Sequence, residues 1–228
     1  MIFLGIFQLT IPYGLVFWGE QYISSGLSAV LFATLTFFVV IFAHFLANEK
    51  LTQVKAIGIV SSFAGLMAVF WRDLAIQNFT IGSSFLGSIA VVASAASAAL
   101  ANVVAKRYAN KIDPPVNVLV QSAICSLALC TLGVLTESSA PMHFTLLGIG
   151  MILYLGIIGS AVAFVGLYWL LTQTTATNTS LFAFFTPILA LLLGWLVLGE
   201  IPDPNVGVGT VLILTGVYLT LKPKGRFL

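Results

Sequence analysis

From Leu181 to Leu198 the chain carries no charged side chain, and its apolar residues do not alternate with polar ones. An uncharged apolar stretch of about 18 residues is long enough to cross the hydrocarbon core of a bilayer. No water reaches backbone N–H and C=O groups there, so only a helix or a closed barrel can span it. Barrel strands alternate apolar and polar positions over about ten residues. The absence of alternation makes this segment a helix, and similar blocks recur along the chain. Hydrophobic residues make up 60% of the 228, charged ones 7%, and mean hydropathy is +1.11. A soluble domain needs roughly 25% charged residues to clothe its surface. The expected class is an all-α membrane protein.

Eight transmembrane helices are expected, over 1–19, 26–47, 54–71, 82–105, 116–136, 145–171, 178–199 and 205–221. The breaks between them carry cap and turn chemistry. Thr52 can cap the third helix, Asp113-Pro114-Pro115 opens the fifth, and Asp203-Pro204 places a cap and an N1 proline at the eighth. Eight crossings put Lys50, Lys55, Lys106, Arg107, Lys111, Lys222, Lys224 and Arg226 on one face and leave Arg72 alone on the other. Basic residues favour the cytoplasmic side, so both termini are expected inside the cell, in an inner or plasma membrane. Cys125 and Cys130 fall on different faces of one helix, which suits packing and not a disulfide or a metal site. The first residues, Met1-Ile2-Phe3-Leu4, have no basic region before them and read as the start of a retained span.

The chain also repeats itself. A shift of 151 brings Trp18 onto Trp169, Glu49 onto Glu200, Gly58 onto Gly209 and Gly65 onto Gly216, without a gap. The shift carries helix one onto helix six, an odd offset, so the copies cross the membrane in opposite directions. That is the inverted-repeat arrangement of many secondary transporters. The partial first repeat spans 1–72 with three helices, and the second spans 82–222 with five. Two helices that would complete the first repeat have no counterpart here, so the expected parent is a ten-helix bundle, N-terminally shortened in this chain.

Two stretches carry a resemblance. One runs from Tyr22-Ile23-Ser24-Ser25-Gly26 through Glu49-Lys50-Leu51-Thr52 to Gly58 and Gly65. The other runs from Pro187-Ile188-Leu189 through Gly194-Trp195-Leu196 and Gly199-Glu200 to Gly209 and Gly216. With the helix pattern, they make the chain resemble EamA-type members of the drug/metabolite transporter superfamily. The resemblance implies two inverted five-helix repeats that export or import metabolites. The chain departs from it in lacking the first two helices, and in having Thr36 where the second copy has Pro187.

Ionisable groups at membrane depth are costly and usually functional, and here nearly all fall at helix ends. His44, about one turn from the end of helix two, is read as an interfacial histidine or as a gate. Glu49 and Glu200 sit at helix C-termini, where the macrodipole disfavours a carboxylate. They are read either as solvated acids or as gate latches with a partner across a loop. Pro12 and Pro187 free the carbonyls of Gln8 and Ala183 and kink their helices. Such interruptions near the midplane build substrate sites in inverted-repeat transporters, although a packing kink is the alternative. Gln8, Tyr13, Tyr154 and Ser160 lie at nearby depths and form the expected binding group. Asn102 and Gln121 are read as bonding each other, with substrate contact as the alternative, and the small residues from Ser94 to Ala99 are expected to let helices approach. Trp18 and Trp169 are expected at the two interfaces.

No phosphate-cradling glycine loop, Gly-x-Ser-x-Gly or His-Glu-x-x-His motif occurs, so neither a nucleotide motor nor an intramembrane hydrolase is expected. The reading is therefore a permease and not an enzyme, with no cofactor and no metal. With no basic residue at the midplane, its substrate is expected to be a small neutral, zwitterionic or amphiphilic metabolite or drug, moved by alternating access. The alternative is a truncated subunit or scaffold that pairs with another copy or a relative. Expected partners are the lipid bilayer, a small-molecule substrate and, as an option, a second copy in a homodimer; nothing points to nucleic acid.

Overall fold

The computed structural model describes residues 1–23, 25–69, 83–111, 113–136, 145–185 and 204–221, and among them every regular element is helical. The helices are α1 (Ile2–Gly19), α2 (Ser25–Phe32), α3 (Leu35–Leu46), α4 (Gln53–Val69), α5 (Ser83–Tyr108), α6 (Pro114–Thr136), α7 (Leu146–Gln173), α8 (Ala176–Ser180) and α9 (Pro204–Leu221). Five spans among the described residues are long and apolar enough to cross a membrane: α1, Leu27–Leu46, α5, α6 and α7. Gln53–Val69 and Val208–Leu221 are shorter apolar helices. The helix expected over 178–199 begins at Ala176, and its course beyond residue 185 lies outside the described residues.

Two expected spans are not uniform α-helix. The one expected over 26–47 breaks between Phe32 and Leu35. There the Leu31 carbonyl accepts both the Thr34 hydroxyl, at 2.5 Å, and the Thr34 N–H, at 3.1 Å. A threonine hydroxyl that captures a nearby carbonyl offers the backbone an alternative to the next helical bond. In α1, Gly5–Thr10 forms a π-helical turn just before Pro12, with the Ile11 N–H bonded to the Ile6 carbonyl. That register moves the carbonyl facing the missing proline N–H from Gln8, the expected one, to Phe7. The Ser97 hydroxyl of α5 fills the gap, donating to the Phe7 carbonyl at 2.8 Å. Ser94 adds a second bond to the same helix, donating to the Pro12 carbonyl at 3.1 Å. The small stripe of α5 therefore both allows close packing and satisfies the kinked backbone of α1.

A second π turn, Leu155–Val162, lies in α7. It contains Gly156 and Ala161, the positions 151 residues after Gly5 and Thr10.

α4 and α9 run antiparallel with glycines at the crossing. Gly58 faces Gly216, and a Cβ on Gly65 would lie 2.6 Å from the Gly209 carbonyl oxygen. Glycine is required here because any side chain would hold the backbones apart. Midway between these contacts, Ser61 Oγ donates to the Leu212 carbonyl and Ser62 Oγ to that of Ile213, each across 151 residues. Three apolar clusters pack the interior among the described residues, the smallest setting Ile23 and Leu27 against Val91 of α5. One joins α3, α5 and α7 through Val39, Ala95, Ala99, Val103 and Leu171. Another joins α4 and α9 through Leu66, Ile213 and Val217, with Phe184.

Candidate functional site

Helices α1, α2, α3, α5, α7 and α8 enclose a cavity of about 490 Å³. Three expected residues, Gln8, Pro12 and Tyr13, line it together. They lie on α1 where the π turn of Gly5–Thr10 passes into the segment that begins at Ile11 and Pro12. Tyr13, Phe17, Phe32, Phe164 and Phe182 supply aromatic walls. The lining reaches Glu20, exposed just past the end of α1.

The other end of the cavity is polar and buried. Gln8 and Asn102 are each 6% exposed, and their side-chain oxygens, Oε1 and Oδ1, have no hydrogen-bond partner. Thr179 and Ser180 belong to the same lining. Their hydroxyls donate to the Thr175 carbonyl at 3.0 Å and the Thr177 carbonyl at 2.8 Å, leaving oxygen lone pairs for anything in the cavity. The expected pairing of Asn102 with Gln121 does not form. Gln121 instead accepts the buried Tyr168 hydroxyl at 2.7 Å. Tyr168, on α7, fills the place because depth along a helix does not determine which face a side chain occupies.

Beyond the cavity stands a second constellation. α3 ends in a left-handed Asn48 (φ 53°), with the Glu49 N–H returning to the Ala43 carbonyl at 3.0 Å. Asparagine tolerates this conformation better than most residues and ends helices there. The turn sends Glu49 onto the start of α8. Its carboxylate accepts the Ala176 N–H at 2.8 Å, the Thr177 N–H at 3.3 Å and the Thr177 hydroxyl at 2.7 Å. The Thr175 hydroxyl takes the next N–H, that of Asn178, at 3.1 Å. The exposed donors at a helix start are thereby met, and the carboxylate lies at the favourable pole of the helix dipole. On the same turn, Lys106 Nζ donates to the Leu171 carbonyl at 2.6 Å, near the end of α7. A carboxylate and an ammonium so hold opposite sides of one interhelical joint. His44 is exposed, with Nδ1 3.3 Å from the Glu49 carbonyl oxygen.

Other expected residues stand apart. Tyr154 is 63% exposed and borders a separate, open depression with Leu146 and Met151. Ser160 lies in the π turn of α7 and does not line the cavity. They sit six residues apart on α7, and neither joins Gln8 in the cavity lining. Pro187 and Glu200 lie outside the described residues. Sequence reasoning weighed Asn102 as a substrate contact and preferred a structural bond, and it passed over Thr179 and Ser180 as lining and Lys106 as a cap. A lone amide within the apolar, small-residue run of α5 was the available signal for the first.

A family model described as the EamA-like transporter family matches residues 1–71 and 85–222. The chain is 29% identical over 206 residues to the uncharacterized transporter YoaV of Bacillus subtilis, covering 90% of this chain and 70% of that protein. It is 27% identical to an uncharacterized transporter of Archaeoglobus fulgidus, over 97% of this chain and 76% of the relative. With protein PagO of Salmonella typhimurium it shares 26% identity, over 96% and 71%. A crystal structure of a protein 18% identical to this chain superposes with a TM-score of 0.82, over 96% of this chain and 75% of the other, a likeness of fold.

Proposed function

Because this chain belongs to the EamA-like transporter family, we propose that it moves a small neutral, zwitterionic or amphiphilic metabolite or drug across the cytoplasmic membrane by alternating access. The observation that carries the reading is the cavity, which reaches the exposed Glu20 at one end of the α2–α3 span and stops short of Glu49 and Lys106 at the other. A membrane protein with a cavity closed at one end and reaching the surface at the other has the form of one state in an alternating cycle. Lys50, Lys55 and Lys106 stand with Glu49 at the closed end, so that end is cytoplasmic in this reading.

The rocking parts are two inverted halves, with eight crossings in all. Hydrogen bonds from Ser61 and Ser62 to residues 151 further on support this, because 151 is also the offset that aligns the repeat. Residues that meet their own counterparts across antiparallel helices lie on a two-fold axis in the membrane plane. Glu49 acts as the latch of the closed end, and Glu200, its counterpart by the same offset, is the proposed latch of the other. Opening the cytoplasmic side requires Glu49 to leave the start of α8.

Reconstitution into sealed vesicles, followed by uptake of a panel of labelled metabolites and amphiphilic drugs, tests the function. Saturable uptake of at least one compound is expected; leakage-level flux for every class overturns it. One observation favours a second reading, a subunit that pairs with another copy. Along α7, Leu146 (89%), Leu147 (70%) and Ile152 (64%) are broadly exposed. Cross-linking between copies in native membranes, without flux, would select that reading.

A further inference from the structure

We propose that the groove between α7, α8 and α9 seats one acyl chain of an anionic phospholipid, with the phosphate held by Lys50 and Lys55; that the leaflet is the cytoplasmic one rests on the topology proposed above. The groove has a volume of about 260 Å³. Leu170 and Thr174 of α7, Phe182 and Phe185 of the segment that continues α8, and Val217 and Leu221 of α9 line it. It is a different place from the cavity. Leu167 of α7 lines the cavity, Leu170 lines the groove, and Phe182 borders both as the wall between them. The lining decides the chain. Its polar members are Thr174 and Asn178, and Asn178 Nδ2 donates to Thr174 Oγ1 at 3.1 Å. The Asn178 side-chain oxygen is enclosed, out of a ligand's reach. An apolar occupant therefore leaves no accessible bond unmade and gains packing contacts. A helix of a second copy is about 10 Å across and cannot enter a groove of this size, whereas a single hydrocarbon chain can.

Charge decides the head group. Thr174, Asn178 and Leu221 stand at the end of α7, the start of α8 and the end of α9, so this end of the groove lies at the membrane surface. α4 and α9 run antiparallel with Gly58 against Gly216 and Gly65 against Gly209. That register sets Lys55 opposite Leu219, beside the groove's Leu221. Lys55 is half-buried, and Lys50, just before α4, is exposed. Among the described residues neither ammonium group enters a salt bridge, and no acid lines the groove. Glu49, the neighbouring acid, is bonded to the start of α8. Two free ammonium groups at the surface end of an apolar groove match a phosphate above a hydrocarbon chain, because basic residues just outside a span attract anionic lipids. A chain seated against three helices binds only their present arrangement, and so stabilises the joint that Glu49 closes.

The test uses the full chain, delipidated in detergent and titrated with dioleoyl phosphatidylglycerol or dioleoyl phosphatidylcholine, with native mass spectrometry counting the bound lipid. Phosphatidylglycerol is expected to bind roughly tenfold tighter than phosphatidylcholine, and to raise the melting midpoint where phosphatidylcholine does not. Lys50→Gln and Lys55→Gln should each weaken phosphatidylglycerol by about three- to fivefold and together abolish the preference. Lys55→Arg should keep it, as should Lys111→Gln, which takes an equal charge from beyond the end of α5. Leu221→Trp, at a position 48% exposed and so tolerant of a larger ring, should block the groove and weaken both lipids alike. Excess inorganic phosphate should leave the lipid in place; displacement would make this a site for free anions and overturn the proposal. Equal binding of the two lipids, a preference that survives the double lysine variant, or binding indifferent to Leu221→Trp overturns it as well. Binding in detergent is blind to orientation, so labelling of Lys50→Cys from outside in intact cells would remove the topology and the leaflet while the lipid preference stood.

Discussion

At the scale of single residues, Glu49 is where local chemistry and function meet. A carboxylate near the end of its own helix is unfavourable there, an anomaly legible in the sequence alone. Its resolution is a neighbour's helix start, reached through the left-handed Asn48. Removing the carboxylate leaves two backbone donors and the Thr177 hydroxyl without their acceptor. Glu49→Ala is expected to lower stability by about 1–3 kcal/mol, the usual cost of orphaning partly buried donors bonded to a charged group. Thermal unfolding in detergent, followed by tryptophan fluorescence, measures it; an unchanged midpoint would show that water replaces the carboxylate without loss. The variant should also expose Thr177→Cys to a membrane-impermeant thiol reagent faster than the parent background does, because the joint it closes is released.

At the scale of elements, the helix ends were legible from the chain to within a few residues, because caps and prolines act locally. Lys55 donates its N–H to Thr52 Oγ1 at 3.3 Å, as the expected cap requires. The break at Thr34 and the π turns were not read from the chain. The first is local, a threonine hydroxyl taking the carbonyl three residues back, while the carbonyl beside the π turn of α1 is met by a distant helix, with Ser97 reaching Phe7. Tyr154 and Ser160, half of the expected group, do not line this cavity for a related reason: hydropathy reports depth, and the face of α7 that carries them is determined by packing. The glycines of α4 and α9 were the best-read feature, since their spacing is shared and their contact is close. Gly65→Ala would place a methyl 2.6 Å from the Gly209 carbonyl oxygen and 2.8 Å from the Ile213 nitrogen. The two helices must separate, at a cost of about 1–3 kcal/mol for overpacking. Folded yield and melting midpoint should both fall, whereas Gly133→Ala, at a position with open space around it, should leave both unchanged.

At the scale of the whole molecule, orientation can be tested apart from transport. Single cysteines at Lys50 and Lys106, in a background with Cys125 and Cys130 replaced, should resist an impermeant thiol reagent in intact cells and react after permeabilisation; labelling in intact cells would invert the proposed topology. The π turns give the bundle a further property. A π turn accommodates one residue more than the α-helix around it, so α1 and α7 each carry stored length. Sliding such a bulge along its helix by a turn would rotate the intervening residues by about 100° while most backbone bonds stay made. Tyr13 and Phe17 would then swing into or out of the cavity as a screw turns, with no hinge opening and no domain displaced. Deleting Ile6 removes that spare residue from α1, and the shortened helix is expected to fold but to hold one rotational setting. Such a protein would still bind a ligand from one side of the membrane and would be unable to release it on the other, which single-sided binding and zero net flux in vesicles would reveal.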